Sequence, residues 1–214
     1  MPLIRRDSTQ PPRPAPDGLP GSAGSRSVLR TGSAEQRWAA ARTLGGTTTS
    51  EGTQALGAAL TSETDLRVRE AIFTSLVRIS GGESVDMVLP CLRSNDPQLR
   101  TGAMDALRAM IADVHPVLPA LLIDPDPDIR ILTCDLVREL PSVDATRLLC
   151  ELLSRETEAN VCAAAVDVLA EIGEADALPT LQACAVRFDD VTFLSFAIRL
   201  AMERITAERP VRNE

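Results

Sequence analysis

Asp96-Pro97-Gln98-Leu99-Arg100-Thr101-Gly102-Ala103 is the stretch that decides the fold of this chain. An aspartate before a proline is typical of the first turn of a helix, and a hydrophobic residue followed by arginine comes next. This two-residue step returns, with variations, as Gln36-Arg37, Val68-Arg69, Leu99-Arg100, Ile129-Arg130, Val161-Cys162 and Phe193-Leu194. The spacings are 32, 31, 30, 32 and 32 residues. A period near 31 predicts stacked units that bury their apolar faces against their neighbours.

Each unit is predicted to be a pair of helices. From Val161 onward, apolar residues recur through Ala165, Val168 and Ile172 at the spacing of one buried helix face. Shorter helices are predicted ahead of these arginine-bearing helices, at residues 52–62, 83–94, 114–123, 143–155 and 175–187. The fold class is therefore all-α, a right-handed α-solenoid of about six helix pairs.

Local signals mark the helix ends. Ser33 with Gln36 three residues later forms a capping box, and aspartate precedes proline at Pro97 and Pro127. Glycines are predicted to end helices at Gly45-Gly46, Gly81-Gly82 and Gly173. Three Leu-Pro steps, at Pro90, Pro119 and Pro179, should kink or start the shorter helices.

Composition narrows the class of protein. The chain is 44% hydrophobic but only 2% aromatic, which favours close-packed helices over sheets. All 22 basic residues are arginine, a bias that indicates a GC-rich, bacterial coding sequence. The five cysteines are odd in number and show no C-x-x-C spacing, so they are predicted to be reduced core residues of a cytosolic protein.

Charge and hydropathy exclude some partners. The formal net charge of −8 would repel the phosphates of nucleic acid. The longest apolar run, Val114 to Ile123, is too short to cross a membrane, and the start, MPLIRRDS, has no apolar core of a signal peptide. A cytoplasmic protein with no nucleic-acid or membrane partner is therefore expected.

Three regions are predicted along the chain. Residues 1–27 hold six prolines with Gly and Ser between them, which predicts a disordered tail. Residues 28–208 form the repeat domain, and 209–214 are a short C-terminal tail. The apolar and basic residues 1–6 could fold on binding a partner, or the segment could be a leader without a role.

The phrase Asp-Pro-x-hydrophobic-Arg, seen at 96–100 and 126–130, resembles the HEAT-like repeats of the phycobilisome-lyase type. The likeness covers about residues 30–206. It implies that the arginine-bearing helices line a concave face and that an Asp and the Arg of successive repeats form a buried ladder. By resemblance, Arg37, Arg69, Arg100 and Arg130 take that role, and the ladder lapses at Cys162 and Leu194.

Residues for catalysis are scarce. His115 is the single histidine, so neither a multi-histidine metal site nor a Ser/Cys nucleophile with a histidine base is expected, and we predict no enzyme, cofactor or metal. The His-Glu pairs of HEAT-like deoxyhypusine hydroxylases are absent. Trp38, Arg42 and Asp105 loosely resemble residues of HEAT-like DNA glycosylases, but the acidic charge argues against that activity.

The candidate partner-binding residues come from rows that repeat along the arginine-bearing helices. One row holds Asp105, Asp135 and Asp167, a predicted column of like charge, with Arg108 and Arg138 three residues after the first two. A second row, Ala41, Phe73, Met104, Cys134, Val166 and Ile198, is either inter-helix packing or an apolar stripe. Trp38 and Phe73 are candidate interface anchors, and Arg42, the first member of the row that includes Asp105, is a further candidate.

These residues predict a non-catalytic scaffold or adaptor that binds another protein, with bacterial signalling as the setting that the resemblance suggests. The alternative is a lyase-like enzyme or chaperone that acts on a chromophore-bearing or modified protein.

Overall fold

The structure is a computed structural model that describes residues 22–207. Within that range the chain forms helices and no strand. The α-helices are α1 (Ser22–Thr31), α2 (Ala34–Leu44), α3 (Ser50–Leu60), α4 (Leu66–Ile79), α5 (Gly81–Val88), α6 (Pro97–Ala109), α7 (Ile111–Val114), α8 (Leu118–Leu121), α9 (Pro127–Val137), α10 (Ser142–Arg155), α11 (Ala159–Ile172), α12 (Leu178–Arg187) and α13 (Thr192–Ala207). Short 3-10 turns at Leu89–Arg93, His115–Val117 and Ala175–Ala177 extend α5, join α7 to α8 and precede α12.

The helices pair into six repeats over the described residues, which confirms the predicted all-α solenoid. The second helices, α2, α4, α6, α9, α11 and α13, contact one another in that order. The first helices, α1, α3, α5, α7 with α8, α10 and α12, form the other row. We call the outward face of the second helices the second-helix surface. One continuous apolar core runs between the rows from Leu29 to Ile205.

Residues 22–27 do not belong to the tail. They form the first turns of α1, where Ser25 and Leu29 are buried against α2 and α3, so the repeat domain starts six residues before the predicted boundary. The prolines up to Pro20 led to the prediction of a disordered tail as far as residue 27. They do not extend into this helix, since the next proline after Pro20 is Pro90. The rest of the predicted N-terminal tail, and the C-terminal tail at 209–214, lie outside the described residues.

Most helix boundaries follow the signals in the sequence. The Ser33 capping box is present, and Asp96 and Asp126 cap helices whose first residue is proline. Gly81-Gly82 is an exception, because these residues begin α5 rather than end α4. Ser80 and Gly81 turn the chain with positive φ angles of 58° and 83°, and the Asp113 carboxylate accepts hydrogen bonds from the Ser80 hydroxyl and the Gly81 N–H.

Candidate functional site

Two arginines of the second helices tie successive repeats together by the same geometry. Arg37 donates from Nε and Nη2 to both Glu63 oxygens at 2.7 and 2.8 Å. Arg130 donates in the same way to Glu156 at 2.7 and 3.0 Å. A two-bond contact between a planar guanidinium and a carboxylate fixes both distance and orientation. Each pair therefore sets the position of one repeat on the next.

Both carboxylates are buried and fully engaged. Besides its arginine, Glu63 accepts hydrogen bonds from the N–H groups of Thr64 and Asp65. The Arg37 hydrogen bond is the largest influence on the Glu63 pKa, which is lowered in spite of the opposing effect of burial. For Glu156, burial is the largest influence and opposes ionisation, but its hydrogen bonds outweigh burial and the pKa is again lowered. Both side chains are therefore structural anions.

The ladder is less regular than the resemblance implied. Its acids are Glu63, Asp96 and Glu156 rather than aspartate throughout. Arg69 donates to Asp96 at 2.6 Å, whereas Arg100 forms no ion pair within residues 22–207 and donates to the Ser94 carbonyl. The short motif Glu-Thr-acid, at 63–65 and again at 156–158, was the sequence signal for the two buried glutamates, and the sequence reasoning missed it.

The three predicted aspartates do not form a column of like charge. Arg108 bridges Asp105 of its own helix and Asp135 of α9. Arg138 pairs with Asp135, with Asp167 on α11 at 2.9 Å and with Glu171. The result is an ion-pair chain of alternating sign across α6, α9 and α11. The i, i+3 pairs were predicted from spacing, but the links between helices were not.

Trp38 of α2 lies half-buried at the N-terminal end of the second-helix surface, and two arginines contact its ring. The Arg42 guanidinium is 4.8 Å from the ring centroid, and Arg67 of α4 is 4.6 Å from it. Arg67 also pairs with Glu35 at 3.2 Å. These two cation–π contacts favour one fixed position of the indole, which we call the Trp38 platform. Two of the candidate partner-binding residues, Trp38 and Arg42, are therefore in contact.

Phe73 is not an exposed anchor. Its ring packs on the backbone of Gly102 so closely that a Cβ at that position would lie 2.6 Å from Phe73 Cε2. The rest of its apolar row, Ala41, Met104, Cys134, Val166 and Ile198, is also buried, so the row is inter-helix packing. Phe73 instead forms the floor of a groove between α4 and α6.

The α4–α6 groove has a volume of about 370 Å³. Apolar side chains dominate its lining, and Glu70 and Asp105 lie at its polar rim; the lining residues are Leu66, Arg69, Glu70, Phe73, Thr74, Val77, Gln98, Gly102, Asp105 and Ala106. Leu66 is 54% exposed although it is large and apolar. A second depression, lined by Trp38, Arg42 and Arg67, shares Glu70 and Thr74 with the groove. Trp38, Arg42, Phe73 and Asp105 therefore belong to one continuous surface.

The family model described as HEAT repeats matches residues 25–108 and 114–198. The chain belongs to this family. The match includes α1 from residue 25 onward and, apart from residues 109–113, the helices that follow as far as Ile198.

Three solved structures similar to this HEAT repeat chain have low sequence identity to it. Two are engineered proteins, at 17% and 19% identity, each with a TM-score of 0.40; the alignments cover 87% and 86% of this chain and 96% and 58% of those chains. The third is the complex of CpcE and CpcF of phycocyanin lyase from Nostoc sp. PCC7120, at 17% identity and a TM-score of 0.38, over 95% of this chain and 100% of that chain. No curated protein matches the sequence.

The cysteines of the HEAT repeats are free thiols, four of them buried and Cys150 half-buried. Burial raises the pKa of Cys134 to about 12. Cys184 differs, because a hydrogen bond from Cys162 and the nearby Arg187 lower its pKa to about 7. Cys162 occupies the place of a ladder arginine, and its sulfur lies 4.0 Å from the Glu156 carbonyl.

Among residues 22–207, no three His, Cys, Asp or Glu side chains converge in a way that could hold a metal ion. None of the described helices combines the length and apolar content that crossing a membrane requires.

The lowered pKa of Glu63 predicts a pH dependence of stability. The unfolded carboxyl titrates near pH 4.3 and the folded one at a lower pH. The stabilisation is therefore complete above the unfolded pKa and is lost as the pH falls through the folded pKa. Urea unfolding between about pH 6 and about pH 3 should show a steeper acid loss for the wild type than for Glu63→Gln. The exposed control Glu51→Gln should keep the wild-type slope; equal slopes for all three would contradict the role of Glu63.

Proposed function

We propose that this HEAT repeat chain is a non-catalytic scaffold that binds another protein through the α4–α6 groove and the adjoining Trp38 platform. The observation that carries the proposal is the apolar groove, whose lining includes the exposed Leu66. Most other large apolar side chains among the described residues are buried. An exposed apolar groove with a rigid aromatic side chain at its edge is typical of a protein-binding site.

The rim of the groove indicates the chemistry of the partner. Glu70 forms no ion pair among the described residues, and Asp105 is 66% exposed at its side chain while it pairs with Arg108. Arg69, which also lines the groove, already forms an ion pair with Asp96. The net charge of −8 adds a long-range attraction for cations. A segment with one apolar side chain flanked by basic residues therefore fits the groove.

The C-terminal half of the second-helix surface has a different role in this proposal. Arg108, Asp135, Arg138 and Asp167 neutralise one another in the ion-pair chain, so they offer little free charge to a partner. These residues form a rigid border to the binding surface. The alternative of a lyase-like enzyme stays a prediction of the sequence, because no geometry on this surface favours it.

A peptide selection tests the proposal without knowledge of the natural partner. Random peptides displayed on phage are selected on the wild-type chain, and the affinity of the recovered peptides is measured for Trp38→Ala and Leu66→Asp. We expect each variant to lose about 2 kcal/mol of binding free energy, a factor of about 30, because both remove a central apolar contact. Affinity should also fall with added salt.

The matched control is Val143→Asp, which places a charge at an apolar residue of α10 that is 64% exposed and lies outside the groove. It should bind the same peptides with wild-type affinity. Far-UV circular dichroism confirms that all three variants keep their helices. Peptides that bind Trp38→Ala and Leu66→Asp as tightly as the wild type would exclude the groove as the site.

A further inference from the structure

The last described helix carries an apolar face that earlier repeats bury. Phe193, Phe196 and Leu200 of α13 are 53%, 58% and 38% exposed. The residues that take the place of Phe193 in the four preceding repeats are all buried: Val68, Leu99, Ile129 and Val161. The same holds for the residues in the place of Leu200, which are Ser75, Ala106, Leu136 and Val168. The difference is that no described repeat follows α13.

Among the described residues, this repeat-to-repeat contact surface is therefore without a neighbour. The terminal repeat of a solenoid normally has a polar outer face, because an apolar one associates with whatever can cover it. In α13, the last helix that the structure describes, these positions hold two phenylalanines, on a chain with only four in total. In residues 208–214 of the sequence, Val211 is the one aliphatic residue.

We propose that the occupant is a second copy of this chain, with the two α13 helices packed antiparallel about a two-fold axis. Phe193, Phe196, Leu200 and Arg204 follow at intervals of three and four residues, so they share one side of α13. An axis between Phe196 and Ala197 places Phe193 of one protomer opposite Leu200 of its partner. Phe196 then meets its own symmetry copy. An isologous contact requires this kind of self-complementarity.

Charge supports the same register. Asp189 and Asp190 are exposed in the turn before α13, and Arg204 is exposed near its other end. Among the described residues none of these three forms an ion pair. In the antiparallel register, Asp189 faces the partner's Arg204 at one end, and the reverse pair forms at the other. Two complementary pairs thus flank the apolar centre, and a parallel arrangement would bring like charges together.

Sedimentation velocity on the full chain over a range of concentrations tests the assembly. The wild type should dimerise, and Phe196→Asp should raise the dissociation constant of the dimer about 30-fold or more, since it removes the central contact. The control Val143→Asp should dimerise like the wild type. Thermal unfolding shows whether Phe196→Asp is folded; Phe196→Ser, which adds no charge, provides a second reading if it is not.

A charge exchange tests the register. Arg204→Asp should weaken the dimer, because an aspartate would then face Asp189 of the other protomer. Adding Asp189→Arg and Asp190→Arg to the same chain should restore the dimer.

A monomeric wild type at its highest soluble concentration would overturn the proposal, as would a dimer that survives Phe196→Asp. A chain that dimerises only after removal of residues 208–214 would assign the face to that segment instead. A dimer lost in Arg204→Asp and not restored by the exchange would refute the antiparallel register. None of these results bears on peptide binding at the α4–α6 groove, so the two proposals fail separately.

Discussion

Glu156→Gln is expected to lower the free energy of unfolding by about 3 kcal/mol, the typical cost of removing one partner from a buried ion pair. Arg130 and Glu156 are 12% and 5% exposed at their side chains, and the variant leaves the guanidinium without its carboxylate. The glutamine amide also turns one acceptor oxygen into a donor, which faces Arg130 or the N–H groups of Thr157 and Glu158. The measurement is equilibrium unfolding in urea at neutral pH.

The matched control is Glu171→Gln, in the exposed pair with Arg138. It should cost less than about 1 kcal/mol, because solvent screens that pair. The double variant Arg130→Met with Glu156→Met should lose less stability than Glu156→Gln alone, since it leaves no buried charge unpaired. Equal losses for Glu156→Gln and Glu171→Gln would show that burial does not set the strength of the ladder.

Gly45→Ala is expected to cost about 2 to 3 kcal/mol through a backbone collision between α2 and α4. The added Cβ would lie 2.5 Å from both Cβ and Oγ of Ser75, and 2.9 Å from its Cα. Ser75 is buried and its hydroxyl donates to the Ala41 carbonyl at 2.9 Å, so it cannot rotate away without loss of that bond. Relief therefore requires the two helices to move apart. Urea unfolding measures the loss.

Gly82→Ala is the control, because no atom lies within 4 Å of its added Cβ. It should leave stability within about 0.5 kcal/mol of the wild type. Ser75→Gly opens space for the alanine, so Gly45→Ala with Ser75→Gly should be more stable than the sum of the two single changes predicts. Strict additivity would mean that the two residues do not collide.

The periodic part of the fold could be predicted from the sequence, because each repeat uses the same buried positions. Val68, Leu99, Ile129 and Val161 reveal the period, and the caps at Ser33 and Asp96 locate helix starts. Helix α1 was missed, since it lacks that phrase and follows a proline-rich segment. Gly81-Gly82 was misread, because Ser80 and Gly81 form the turn with positive φ angles, so α4 ends at Ile79 and the glycines begin α5.

The candidate site was less predictable than the fold. Spacing within one helix correctly pairs Asp105 with Arg108. The contact of Arg108 with Asp135 depends on the distance between α6 and α9, which no single-helix pattern contains. Phe73 illustrates the same limit, since Gly102 on the next helix decides that its ring is buried. The groove arises from this contact between two repeats.

The ion pairs that join successive repeats are not the same along the stack, and this difference affects how the protein responds to cooling. Buried arginine–glutamate pairs join earlier repeats, whereas among the described residues no ion pair joins α10 or α11 to α12 or α13. That last boundary relies on apolar packing of residues such as Leu194 and Ile198, and the Arg187 guanidinium donates a hydrogen bond across it to the Leu153 carbonyl. Hydrophobic association weakens on cooling, and stacked repeats open locally from their ends. The α12–α13 pair, the last that the structure describes, is thus expected to loosen before the earlier pairs on cooling, and it also carries Phe193, Phe196 and Leu200.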